Sequence, residues 1–106
     1  SQNQDPSQNQ LQTLINLYNE GQFQQALDQT DELLQQFPSS VIVYNICGAV
    51  KAGLGQLDAA IEAYNKALSI KPNYAEARTN LAILLFEIRK YKEAAKLFSK
   101  DTSRKN

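Results

Sequence analysis

The chain contains no histidine. That absence removes the commonest general base, the serine and cysteine dyads that depend on it, and most zinc constellations. There is one cysteine, Cys47, so no internal disulfide can form and a reducing, cytoplasmic setting is expected. No apolar run approaches the length of a membrane span, and no charged-then-apolar signal segment opens the sequence, so no membrane partner is expected. Gly48, Gly53 and Gly55 imitate part of a phosphate loop, but no Gly-Lys-Ser/Thr follows and no strand precedes them. Cys47 lies at a core position of a helix and reads as a buried structural thiol. No catalytic residue, cofactor or metal is therefore expected, and the chain reads as a non-enzyme.

Positive charge is missing from the whole first half: no lysine or arginine precedes Lys51. Asp5, Glu20, Asp28, Asp31 and Glu32 give that half a formal charge of −5, while eleven basic and six acidic residues give the remainder +5. An acidic head and a basic tail could stack head to tail with salt-sensitive attraction, or the tail could be a solvated helix face. Lys92, Lys96 and Lys100 form a basic stripe, yet an acidic half without arginine speaks against nucleic acid as a partner.

What the sequence does have is a period. At 42% hydrophobic and 21% charged, the 106 residues suit one ordinary globular domain. Tyr44 to Pro72 reads as two amphipathic helices. The first carries Ile46, Cys47, Val50 and Leu54 on one stripe, and the second Ala60, Ile61, Tyr64, Ala67 and Leu68. Gly55 between them stands where a left-handed residue closes a helix, and Lys71 before Pro72 ends the second. Gly48 and Ala60 leave room for close helix approach, with Tyr44, Leu57 and Tyr64 filling around them. Ala26, Ala60 and Ala94 fall 34 residues apart, as do Phe23, Leu57 and Tyr91, the pair Gly21 and Gly55, and the pair Pro38 and Pro72.

A 34-residue helix–turn–helix period is the signature of the tetratricopeptide repeat. Tyr44, Cys47-Gly48, Gly55, Leu57, Ala60, Tyr64, Ala67 and Pro72 resemble that family's pattern most closely, in the middle of three repeats. The resemblance implies an all-α, right-handed α-solenoid of three helix–turn–helix repeats, with six antiparallel helices. The expected layout is a disordered lead-in over 1–9, a repeat domain over 10–101 (repeats near 8–40, 41–74 and 75–102) and a frayed basic tail over 102–106.

The outer repeats depart from the pattern. In the first, Gln10, Thr13 and Leu14 replace an aromatic, a leucine and a small residue, drift that a terminal repeat with one open face tolerates. In the third, helices near 75–90 and 91–100 are expected, but Arg89 replaces the turn glycine and the chain ends before a closing proline. Either the chain is a fragment of a longer array, or apolar surface near Leu84, Ile88 and Phe98 is an edge covered by another molecule, including a second copy.

In this family the first helix of each repeat lines a concave groove for an extended peptide or a partner helix, so the resemblance implies a protein-interaction module. The matching groove positions are Leu11, Gln12 and Ile15, then Asn45, Ile46 and Ala49, then Glu76, Thr79, Asn80, Ile83 and Phe86. Asn45 and Asn80 could bond a peptide backbone without reading its charge. The isoleucines suit groove floor and helix packing equally. Chaperone-binding members grip a C-terminal carboxylate with lysine, arginine and asparagine; Leu11, Ile15, Ile46, Glu76 and Asn80 stand there instead, so a carboxylate clamp is not expected. Pro72 to Ala77 and Asn80 to Ala82 are similar to arrays attached to O-linked sugar transferases, with Asn80 alone on their asparagine ladder. Self-assembly through the third repeat, and service as the N-terminal array of a larger glycosyltransferase-type enzyme, stand as alternatives to groove binding.

Overall fold

The computed structural model describes the backbone of residues 4–105 and the side chains of residues 4–98. Five helices follow one another: α1 (Gln8–Asn19), α2 (Phe23–Gln36), α3 (Val41–Gly53), α4 (Leu57–Ile70) and α5 (Ala75–Lys105). Each packs on its neighbours in sequence, and α3 also touches α1 and α5. The result is an all-α repeat stack in which contacts stay local, as the period requires.

The first two turns are built alike. After α1, Gly21 adopts φ 77°, its N–H bonds the carbonyl of Tyr18 at 3.0 Å, and the N–H of Gln22 reaches Leu17 at 2.9 Å. After α3, Gly55 adopts φ 79°, with Gly55 to Ala52 at 3.0 Å and Gln56 to Lys51 at 2.9 Å. Both pairs of bonds satisfy carbonyls that a helix end would otherwise leave orphaned. α2 and α4 end just before Pro38 and Pro72, each at a residue biased away from helical angles.

Two apolar clusters hold the stack. The first gathers Leu14, Ala26, Leu33, Val43 and Val50 between the two hairpins. The second gathers Ala60, Tyr64, Ala67, Ala77 and Leu84, joining α3, α4 and the first half of α5. Close approach occurs where the small residues stand: a Cβ placed on Gly48 would lie 2.5 Å from the Tyr64 ring. Cys47 is buried and unbridged.

The expectation of six helices fails at its last turn. α5 runs unbroken for 31 residues, about 46 Å at 1.5 Å per residue, through the position where helix six should begin. Neither glycine nor proline occurs after Pro72, so no residue there takes the left-handed conformation cheaply. Two contacts also staple the helix across the missing turn. Arg89 pairs with Glu93 at 3.3 Å, and Lys90 Nζ lies 5.7 Å from the centre of the Phe86 ring. Both are i, i+4 pairs on an exposed surface, each worth a few tenths of a kcal/mol. The straight helix gives the molecule extents of 65 × 28 × 18 Å and a radius of gyration of 16.7 Å, against roughly 13 Å for a compact chain of this length.

The termini also differ from expectation. Within the expected lead-in, residues 1–3 lie outside the described residues, but Asp5 onward belongs to the fold. Pro6 is buried, and Ser7 caps α1 in a capping box with Gln10. The carboxylate of Asp5 accepts a hydrogen bond of 2.7 Å from Ser40, whose own oxygen accepts from the N–H of Val43 at the start of α3. The lead-in is thus tied to the start of the second hairpin. At the other end α5 continues through Lys105, where a tail was expected from residue 102; Asn106 is outside the described residues.

Candidate functional site

Successive inter-helix packings set α1, α3 and α5 side by side, because α2 and α4 fill the opposite layer. The exposed strip across these three helices carries three adjoining depressions. One, of about 390 Å³, is lined by Gln8, Asn9, Leu11, Gln12 and Ile15. The next, of about 510 Å³, brings Ile15 together with Ile42, Asn45, Ile46, Tyr74, Glu76, Thr79 and Asn80. The third, of about 560 Å³, runs from Asn80 along Ile83, Leu84, Glu87, Ile88 and Tyr91, with Tyr18, Ala49 and Leu57 opposite. Ile15 and Asn80 are shared between neighbours, so the three form one continuous groove.

At the middle of this groove Asn80 Nδ2 donates to Asn45 Oδ1 at 3.1 Å. The two amides thus satisfy each other in part and leave further donors and acceptors turned to the groove. Ile15 and Ile83 are exposed, whereas Ile46 is half-buried and packs on the first cluster; it serves core and groove together. The Tyr74 hydroxyl donates to the Glu76 carboxylate at 2.6 Å, and burial, followed by that bond, holds the phenol protonated far above its usual range. Burial similarly raises Tyr64, at the back of the groove, to about 12, with the neighbouring Tyr18 and Cys47 contributing less. Among the described residues, Glu76 and Glu87 are the charged side chains along the lining, and no lysine or arginine lines any of the three depressions.

Of the positions expected in the groove, Leu11, Ile15, Asn45, Ile46, Ala49, Asn80 and Ile83 line it. Phe86 does not: at 100° per residue it sits about 120° around α5 from Asn80 and faces away. Leu84 and Ile88, expected on an open edge, are instead in or against the second core cluster, because Leu84 stands one repeat after the buried Val50. Exposure is concentrated farther along α5, where Tyr91 is 67%, Leu97 65% and Phe98 76% exposed. Sequence reading missed Tyr18, Glu87 and Tyr91 as lining residues. Glu87 and Tyr91 follow Asn80 and Ile83 at helical spacing, a signal that was there to be read. Among the described residues no cluster of histidine, cysteine or acidic side chains is arranged to hold a metal, and no helix is long and apolar enough to cross a membrane.

Comparison with known proteins bears on this central region. Residues 48–88 match the family model of the TPR repeat. The matched TPR repeat spans the end of α3, all of α4 and α5 as far as Ile88, stopping one residue before Arg89. Over 78 residues the chain is 38% identical to a peroxisomal targeting signal receptor of Kluyveromyces lactis and 35% identical to that of Saccharomyces cerevisiae. These alignments take in 74% of this chain but only 14% and 13% of the receptors, so the chain spans about a seventh of their length. A probable biofilm formation methyltransferase of Pseudomonas putida is 35% identical over 75 residues, 71% of this chain and 18% of that protein. The TPR repeat and the resemblance to receptors support a protein-interaction module.

Proposed function

We propose that the strip across α1, α3 and α5 binds a segment of a partner protein, as an extended peptide or a helix, without a carboxylate clamp. The observation that carries this reading is the composition of the groove: an apolar floor from Ile15, Ile46 and Ile83, a central amide pair, and two carboxylates with no opposing cation. Such a surface favours an apolar segment with neutral or basic flanks. Asn45 and Asn80 offer bonds to its backbone, and Glu76 and Glu87 repel a free C-terminal carboxylate. Relatives named as receptors for a targeting signal support a peptide ligand in kind.

The test is a panel of twelve-residue peptides, each made with a free and an amidated C-terminus, screened by fluorescence anisotropy. Binders should tolerate amidation, and Asn80→Ala or Ile83→Ala should weaken them about tenfold, since buried interface contacts of this kind are worth about 1–2 kcal/mol each. Binding that requires the free carboxylate, or survives both substitutions, would refute the reading. A second reading, that the stack serves a catalytic domain elsewhere in a longer chain, draws on the methyltransferase relative; it assigns the groove the same binding role.

A further inference from the structure

Beyond Ile88, α5 leaves its own core behind. Its inward stripe nevertheless continues in phase: Ala77, Leu81, Leu84 and Ile88 pack against the body, and Tyr91, Ala94, Ala95 and Phe98 follow at the same helical spacing. These later residues are exposed, as is Leu97 beside them. The overhang is therefore an amphipathic helix whose core-like face extends past the end of the body.

Charge supplies its seat. Residues 1–88 hold nine acidic and four basic side chains, a net −5, whereas residues 89–106 hold seven basic and two acidic, a net +5. Among the described residues the groove displays Glu76 and Glu87 and no cation. Two overhangs would repel each other, and so would two bodies; an overhang facing a body attracts. The lengths also agree. Three helices packed 8–10 Å apart make a strip about 20 Å across, and the fifteen residues from Tyr91 to Lys105 span about 22 Å as a helix.

The geometry points to a second copy of this chain as an occupant of the groove, its α5 overhang lying across Ile15, Ile46 and Ile83 through Tyr91, Ala94 and Phe98. This rests on the groove reading above and names the partner. The contact is heterologous, a tail in a groove, so it gives either a reciprocal pair or a growing chain of copies. Like other charge-steered contacts it weakens as salt rises.

Light scattering on the full chain tests it. Mass should rise with protein concentration in 50 mM salt, and the association should weaken about tenfold or more in 500 mM salt. Phe98→Glu and Ile83→Lys alter exposed residues, leave the fold intact, and should each abolish assembly. Mixed together they should restore a heterodimer, because one variant keeps its groove and the other its overhang. A monomer at every concentration, assembly that survives either substitution, or a mixture that stays monomeric would overturn the proposal. The peptide panel run on Phe98→Glu separates the two failures. Peptides that still bind leave the groove reading standing when self-association has failed, and loss of all peptide binding there refutes both.

Discussion

Replacing Arg89 with glycine should fold the overhang back onto its own chain. Residue 89 stands one repeat after Gly55, at the place where α3 turns into α4. For arginine, the left-handed conformation needed there costs about 1–2 kcal/mol, a cost glycine does not carry. In the straight helix the order reverses, since an interior glycine costs about 1 kcal/mol relative to good helix formers. The exposed Arg89–Glu93 pair adds a few tenths of a kcal/mol that the variant also loses. The swing between straight and folded-back forms is therefore about 2–3 kcal/mol, or roughly 30- to 150-fold in population. The folded-back form gains burial as well. Phe98 would meet Ala82 as Tyr64 meets Gly48, and Phe86 would be covered as Ala52 is by α4. Small-angle X-ray scattering of dilute Arg89→Gly in high salt, which keeps copies apart, should show the radius of gyration falling from near 16.7 Å toward about 13 Å. An unchanged radius, or a loss of helical circular dichroism in place of compaction, would refute the claim that one absent turn residue holds α5 straight.

Further outcomes follow from the same contacts. Gly48→Ala drives a methyl group to within 2.5 Å of the buried Tyr64 ring; overpacking of about 1–3 kcal/mol against a helix-propensity gain of about 1 leaves a net loss near 1 kcal/mol in urea unfolding. A variant as stable as the parent would mean that the ring yields freely. Ser40→Ala removes the cap of α3 and the tie to Asp5, and should cost about 1–2 kcal/mol by thermal melting; Asp5→Ala should cost less, because the cap remains. Tyr64 ionises near 12 in the folded chain and near 10 when unfolded, so its stabilising effect is complete below pH 10 and drains away between pH 10 and 12. Tyr64→Phe should flatten that alkaline loss in chemical denaturation; an unchanged pH profile would place its cause elsewhere.

The parts of the fold that register alone determines were legible. α4 begins and ends at the residues expected, Leu57 and Ile70, because a left-handed glycine precedes it and a proline follows. The stripe of Ile15, Ile46 and Asn80 was equally accessible, since a repeat places equivalent side chains on equivalent faces. Two kinds of feature were not legible. Register marks where a turn belongs, but the residue at that place decides whether it forms. At Arg89 the local cost outweighed the pattern, and α5 ran on. Contacts between polar side chains far apart in sequence were also hidden. Asn45 with Asn80, and Asp5 with Ser40, each join residues 35 apart by a particular pair of rotamers that no period encodes. The second of these ties Asp5 to the packed body, within a segment that composition alone assigns to disorder.

The straight form of α5 also determines where the groove ends. Tyr91 lines it beside Glu87 and Ile88 only because the helix does not turn at Arg89. In a chain that folds back there, residue 91 starts the next helix, as Leu57 starts α4 after Gly55, and its ring no longer extends the α5 wall beside Glu87 and Ile88. Arg89→Gly should therefore shorten the groove at one end. Peptides whose binding depends on Ile83 should lose affinity by about threefold to tenfold, as expected when one aromatic contact of about 1 kcal/mol is withdrawn. Peptides held at Ile15 and Ile46 should be unaffected. Anisotropy titrations of both groups against the parent and the variant make the comparison. If the two groups weaken equally, the substitution has disturbed the whole stack, and Tyr91 is not the end wall of the site. If only the first weakens, one residue controls both the length of α5 and the reach of the groove.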